Sequence, residues 1–264
     1  MLKRNFLFAT LMCAATLTVA TESPEDAKPP QNTPAAVEDA TEKVTAVEVH
    51  GVKDPEWKPY RVMLKGLDAF DKYRRYAPNA ELRFEIRPQT PNIAVADVQL
   101  RIAGDDTSIP IPISENGLFT ISRNQAAADE NAEMVLNQKK DSVLWRPYIR
   151  SSGLDPNVRR LGDLRLECEI MWAVQQDDLP FWMRSLFRLG GGACHSSQIG
   201  IGSPAPRPIV AATLVSNEHR QTMPIGRGGK SFTPPLFDEK WNDDTLIEFQ
   251  FSDESTTENA AFVK

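Results

Sequence analysis

A thiol, an imidazole and three hydroxyl groups lie together in the stretch GGGACHSSQIGIGS, residues 190–203. Nucleophilic catalysis needs a base within hydrogen-bond reach of the nucleophile and a third group that orients the base. On a strand, Cys194 and His195 would point to opposite faces and form no dyad. One enzymatic alternative stays open: an exported hydrolase or metal-dependent enzyme that uses His195 and His219.

The stretch GRGGKS, residues 226–231, ends like a phosphate-binding loop. The pattern G-x-x-x-x-G-K-[ST] would place its first glycine at Pro224, which has no N–H group. Two prolines at 234–235 also prevent the helix whose N-terminus would hold a phosphate. The sequence therefore predicts a glycine-rich hairpin loop and no nucleotide. The histidines and acidic pairs lack metal-ligand spacing, so we expect no metal and no cofactor.

Arginine and aromatic side chains concentrate in one short segment. Trp145, Arg146, Tyr148 and Arg150 lie within six residues, and two more arginines follow at 159–160. Such side chains anchor partners or stack on ligands. We predict that the four residues form a binding surface for an envelope protein or a small ligand. The alternative is ordinary packing.

The first residues predict export. Residues 1–20 combine a basic start, an apolar run and small residues before a cleavage site, which is typical of a secretory signal peptide. Residues 21–43 are acidic and rich in proline, and they predict a disordered linker. We expect a periplasmic protein, with full secretion as the alternative. No later segment is apolar enough to span a membrane, so we expect no transmembrane segment in the mature chain.

Removal of the signal peptide leaves two cysteines, Cys168 and Cys194. In an oxidising compartment such a pair forms a disulfide, which we predict here. The composition is that of a globular protein, with 41% hydrophobic and 25% charged residues and a net charge of −6. This charge excludes the basic field that nucleic acids require.

The elements that must position these residues follow from periodicity. Residues 55–77 carry apolar side chains at helical spacing, and 179–189 predict a second helix that a glycine run ends. Alternating segments predict about nine strands, among them 82–87, 143–148, 197–202, 208–216 and 245–252, and LRLECEIMW at 164–172 gives the clearest pattern.

These elements predict a mainly β (α+β) fold, an antiparallel β-sandwich with two added amphipathic helices. The folded region would span residues 44–264, as one domain or divided near 175–190.

A partial resemblance covers residues 95–122. The strand pair VADVQLRI…IPIPISENGLFTIS, with Asn116, Gly117, Phe119 and Ile121 in its return strand, resembles transthyretin-like and carboxypeptidase-regulatory-like β-sandwich modules. The resemblance implies an accessory or adhesive role without shared catalytic residues. The sequence thus favours an exported non-enzymatic binding or envelope-accessory protein, with a structural envelope protein as a further alternative.

Overall fold

The computed structural model describes residues 52–189 and 191–252. The predicted signal peptide and linker lie outside the described residues. The strands are β1 (Pro55–Pro59), β2 (Ala80–Pro88), β3 (Leu100–Ala103), β4 (Ser108–Ile111), β5 (Leu118–Phe119), β6 (Glu133–Lys139), β7 (Val143–Ser151), β8 (Val158–Arg160), β9 (Ser203–Pro204), β10 (Ile209–Ser216), β11 (His219–Thr222), β12 (Ser231–Phe232) and β13 (Leu246–Phe251). The α-helices are α1 (Tyr60–Tyr73), α2 (Gln125–Asp129), α3 (Leu161–Gln175) and α4 (Phe181–Leu189).

Two antiparallel sheets share the first core. Their strand orders are β1-β6-β3-β4 and β5-β2-β7. Alternating side chains such as Phe84 and Ile86 on β2 and Leu100 and Ile102 on β3 are almost fully buried, because every second residue of a strand faces the same side. Helix α1 covers this core.

Helix α1 begins later than the predicted helix over 55–77. Residues Pro55–Pro59 instead form strand β1, which pairs with β6. The apolar face of the helix packs inward as its spacing predicts, with Tyr60, Met63 and Phe70 buried. Gly66 faces α3 at a close approach, where an added Cβ would lie 2.9 Å from Val174 Cγ2.

A second core lies under the sheet β11-β10-β13-β8 and the short ribbon β9-β12. Buried residues from β10 and β13, such as Leu214 and Ile247, meet α3 there. The GRGGKS segment forms a tight turn at Arg227–Gly229, and Ser231 then enters β12 without a following helix. This is the hairpin loop that the glycines predict.

The strand predicted over 164–172 is wrong, because these residues belong to helix α3. Leu166, Ile170 and Val174 enter the first core, while Leu164 and Cys168 enter the second. A helix that is buried on opposite sides has no single apolar stripe. Its apolar residues at alternate positions therefore imitate the period of a strand.

Two smaller predictions are also wrong. The turn at Gly117 exists, with φ of 77°, but the return strand that follows it, β5, does not pair with β4, the strand that precedes it. Strand β4 instead pairs with β3 at a sheet edge, and β5 pairs with β2. Residues 197–202, predicted as a strand, are irregular as far as β9. Short turns specify a reversal of the chain but not the strand that the chain meets next.

The predicted fold class is confirmed as an α+β fold of antiparallel sheets with added helices. The predicted disulfide pair is also confirmed, since the Cys168 and Cys194 sulfurs lie 1.98 Å apart. It joins α3 to the short turn Ala193–His195 that follows α4. Within residues 52–189 and 191–252, no helix is long and apolar enough to cross a membrane.

Candidate functional site

Strand β7 carries all four residues of the predicted binding surface, and it lies at the outer edge of its sheet. Successive side chains point to opposite faces of a strand. Trp145 is buried in the first core, where its ring meets Phe119 edge-on with the centroids 6.0 Å apart. Arg146, Tyr148 and Arg150 belong to the other face. The structure therefore divides the predicted surface between two environments.

Carboxylates of helix α3 accept hydrogen bonds from backbone N–H groups along half of the β7 edge. The N–H of Ile149 donates to Glu167 Oε1 over 2.8 Å, and the N–H of Ser151 donates to Asp163 Oδ2 over 2.8 Å. Asp163 and Glu167 are four residues apart, so they stand one turn apart on the same helix face. These side chains bind the donors that an edge strand leaves unpaired.

A buried ionic cluster surrounds Glu167. Arg159 donates to Glu167 Oε1 over 2.8 Å, and Arg146 Nη2 lies 3.4 Å from Oε2. Arg146 Nε also lies 3.3 Å from Glu85 Oε2, and this contact is an ion pair without hydrogen-bond geometry. The cluster holds α3 against strands β7 and β8.

Burial and charge act in opposite directions on these guanidinium groups. Burial lowers the pKa of Arg146, and the carboxylates of Glu167 and Glu85 offset this only in part. Burial also opposes the charge of Arg159, but the groups around it, foremost Glu167 and then Asp163, together outweigh burial and raise the pKa of Arg159. Glu167 is thus the counter-ion on which both buried arginines depend.

The other half of the β7 edge borders an apolar groove. Pro147 has no N–H group, which suits a position on an edge strand where the N–H would point away from the neighbouring strand. A cavity of about 350 Å³ lies between this edge, α3 and the ribbon β9-β12. Its walls include Trp145, Leu164, Met171 and Leu236, with the Arg146–Glu167 contact at one side. We call this cavity the α3 groove.

The α3 groove continues beneath helix α4. A second cavity of about 210 Å³ shares with it the residues Cys168, Met171, Gln175 and Ile201. Its outer wall is formed by Met183 and Phe187 of α4. Both cavities are lined mainly by apolar side chains, which is the usual character of a site for small molecules.

Tyr148 and Arg150 do not line the α3 groove. They border a separate, more polar depression of about 390 Å³ together with Arg83 and the turn at Ser152–Gly153. The Arg150 guanidinium is held by the carbonyl oxygens of Asp155 and Val158. Of the predicted surface, only Trp145 and Arg146 border the apolar groove.

The two histidines lie in different settings. His195 Nε2 is 2.6 Å from Glu169 Oε1, and burial raises the pKa of Glu169 while His195 only partly counters this. The neighbouring Cys194 is disulfide-bonded and offers no thiolate. His219 is exposed on β11. Among the described residues, no hydrogen bond joins the histidines and no group of three His, Cys, Asp or Glu could hold a metal.

Sequence reasoning missed the carboxylates of α3, which are Asp163, Glu167 and Glu169. A strand over 164–172 would place Glu167 and Glu169 on the solvent face, whereas both are about 95% buried. A signal was present, because Asp163 and Glu167 have the i, i+4 spacing of a helix face and the segment is rich in strong helix formers.

Comparison of the chain with protein-family models, with curated proteins and with solved structures found no match.

Proposed function

We propose that this is an exported, non-enzymatic binding protein whose α3 groove takes an apolar or amphiphilic small molecule. The observation that carries the proposal is the continuous apolar groove from the β7 edge to the underside of α4. Export is supported by the composition of residues 1–20 and by the disulfide, which is typical of oxidising compartments.

The chemistry of the groove favours binding over catalysis. Its ionic groups, Arg146 and Glu167, are already engaged with each other and with Arg159. A catalytic acid or base needs an accessible proton, whereas these groups hold α3 to the sheet. His195 is paired with Glu169 beside the disulfide and does not border the groove. The site offers apolar surface and shape, with few polar groups that could react.

One further feature supports a ligand with a hydrogen-bond acceptor. Trp145 Nε1 is buried and has no hydrogen-bond partner within residues 52–189 and 191–252. An unpaired buried donor costs about 1–3 kcal/mol. Trp145 lines the groove, so a ligand carbonyl that reached this atom would recover that loss.

The test is dye binding to the full chain. N-phenyl-1-naphthylamine, a neutral apolar dye, is expected to bind with a rise in fluorescence. Met171 lines both cavities, so Met171→Glu places a charge on the shared wall and is expected to weaken binding at least ten-fold. The control is Val210→Glu, which adds the same charge to an exposed apolar residue on β10.

A second variant covers the case in which Met171→Glu unfolds. Met171→Trp keeps the wall apolar and fills the groove, so it is expected to weaken dye binding with the fold intact by circular dichroism. Equal dye binding by wild type, Met171→Trp and Val210→Glu would contradict the proposal, because the dye would then bind elsewhere.

A further inference from the structure

Helix α4 presents a strongly apolar surface to solvent. Phe181 is 76% exposed, Trp182 65%, Leu186 62% and Leu189 87%. Trp182, Leu186 and Leu189 follow the i, i+4, i+7 spacing of one helix face, and Phe181 lies beside them in the first turn. Isolated exposed apolar residues are common, but four large ones on one nine-residue helix are not.

Helix α4 has apolar side chains on its inner side as well as on its outer side. Half-buried Arg184 pairs with Asp177 over 2.6 Å, and Arg188, which is itself exposed, donates to Gln176 over 3.3 Å. Phe187 faces the body, and its ring meets Trp172 edge-on at 5.3 Å. Folding alone would favour polar residues at the four exposed positions.

The size of this face limits what can cover it. A nine-residue helix is about 14 Å long, and the four side chains expose on the order of 500 Å². A stable protein interface needs about 800 Å² from each partner. This face alone is therefore too small to form a stable dimer interface with a second copy of the chain. A bilayer has no such minimum, because each apolar side chain inserts independently.

The composition of the face also fits a bilayer surface. Tryptophan and phenylalanine occupy the interface between acyl chains and headgroups, and leucines insert below them. The four side chains of the face carry no charge, and the nearby Arg184 is paired with Asp177. The inner side of the same helix forms the wall of the groove through Met183 and Phe187.

We propose that α4 is a docking element that inserts shallowly into a lipid bilayer through Phe181, Trp182, Leu186 and Leu189. Insertion is driven by apolar contact and not by charge. It does not depend on whether the α3 groove binds a ligand. Vesicles of phosphatidylcholine alone and vesicles containing phosphatidylglycerol should therefore bind the protein about equally.

The test uses the full chain and vesicles of phosphatidylcholine with brominated acyl chains, which quench tryptophans that enter the bilayer. Wild-type emission is expected to fall on vesicle addition. Trp182→Phe should lose most of this quenching, since its ring still inserts but no longer emits at that position. The matched control is Trp57→Phe, which removes another exposed tryptophan and should keep the quenching.

A second pair of substitutions tests the apolar contact. Leu186→Gln with Leu189→Gln is expected to lower vesicle affinity roughly ten-fold or more, because two exposed leucines lose their contact with lipid. Both positions are solvent-exposed, so the fold should persist by circular dichroism. Residues 6–20 contain no tryptophan, so contact of that segment with vesicles does not contribute to the quenching.

Three results would overturn the proposal. The first is wild-type emission that vesicles do not quench, and the second is quenching that Trp182→Phe and Trp57→Phe reduce equally. The third is a concentration-dependent dimer in sedimentation that Leu186→Gln dissociates, which would assign the face to a second copy of the chain.

Discussion

Removal of the charge of Glu167 should destabilise the protein strongly. Glu167→Gln keeps the size of the side chain and an oxygen that can accept from Ile149. It removes the negative charge that faces Arg159 at 2.8 Å and Arg146 at 3.4 Å. The side chain is only 8% exposed, so water cannot replace the lost partner.

The magnitude follows from these contacts. A hydrogen bond to a charged group contributes about 1.5–3 kcal/mol, and Glu167 accepts one from Arg159 and a longer one from Arg146. Breaking a buried ion pair by removing one partner costs about 3–5 kcal/mol, because the other charge stays buried. We expect a loss of about 3–5 kcal/mol in the free energy of unfolding.

Urea unfolding at pH 7, followed by circular dichroism, measures this loss. The control is Glu81→Gln, which removes a carboxylate of β2 that pairs with Arg83 but is 79% exposed. That change should cost less than about 1 kcal/mol. A loss below about 1.5 kcal/mol for Glu167→Gln, or equal losses for both variants, would refute the view that Glu167 is the essential counter-ion.

Three further outcomes test the structure. Replacing Cys168 and Cys194 together by serine should lower the free energy of unfolding by about 3.5 kcal/mol, since the bond spans 26 residues; urea unfolding with and without reductant measures it. Burial raises the pKa of Glu169, so the folded state holds the proton more tightly than the unfolded state, and the stability contribution of this carboxyl falls as pH rises above its ordinary 4.5. Glu169→Gln avoids that loss, so the Tm of this variant relative to the wild-type Tm should rise between about pH 4 and pH 7. A Tm difference between the two proteins that does not change with pH would contradict the burial argument. Gly162→Ala should cost about 1–3 kcal/mol by the same urea assay, because the new Cβ would overlap the backbone oxygen of Tyr76, and an unchanged midpoint would show that the helix start can shift.

The sequence by itself determined the elements whose signals are local. Alternation specified β2, β7, β10 and β13, because a strand with one buried face repeats every two residues. The glycines after α4 specified its end, where Gly191 and Gly192 have positive φ values. The pairing of Cys168 with Cys194 followed from the number of cysteines that remain after the predicted cleavage.

Only the tertiary structure decided the ionic cluster and the groove on which the proposed function rests. Helix α3 lies between two cores, so its residues show no single periodic face. Glu167 takes its role from Arg146 on β7 and Arg159 on β8, and only the packing of α3 against both strands brings the three side chains together. The groove likewise needs β7, α3 and the ribbon β9-β12 together. The amphipathic pattern of α4 predicted a helix but not which side faces water, since exposure depends on what packs against each face.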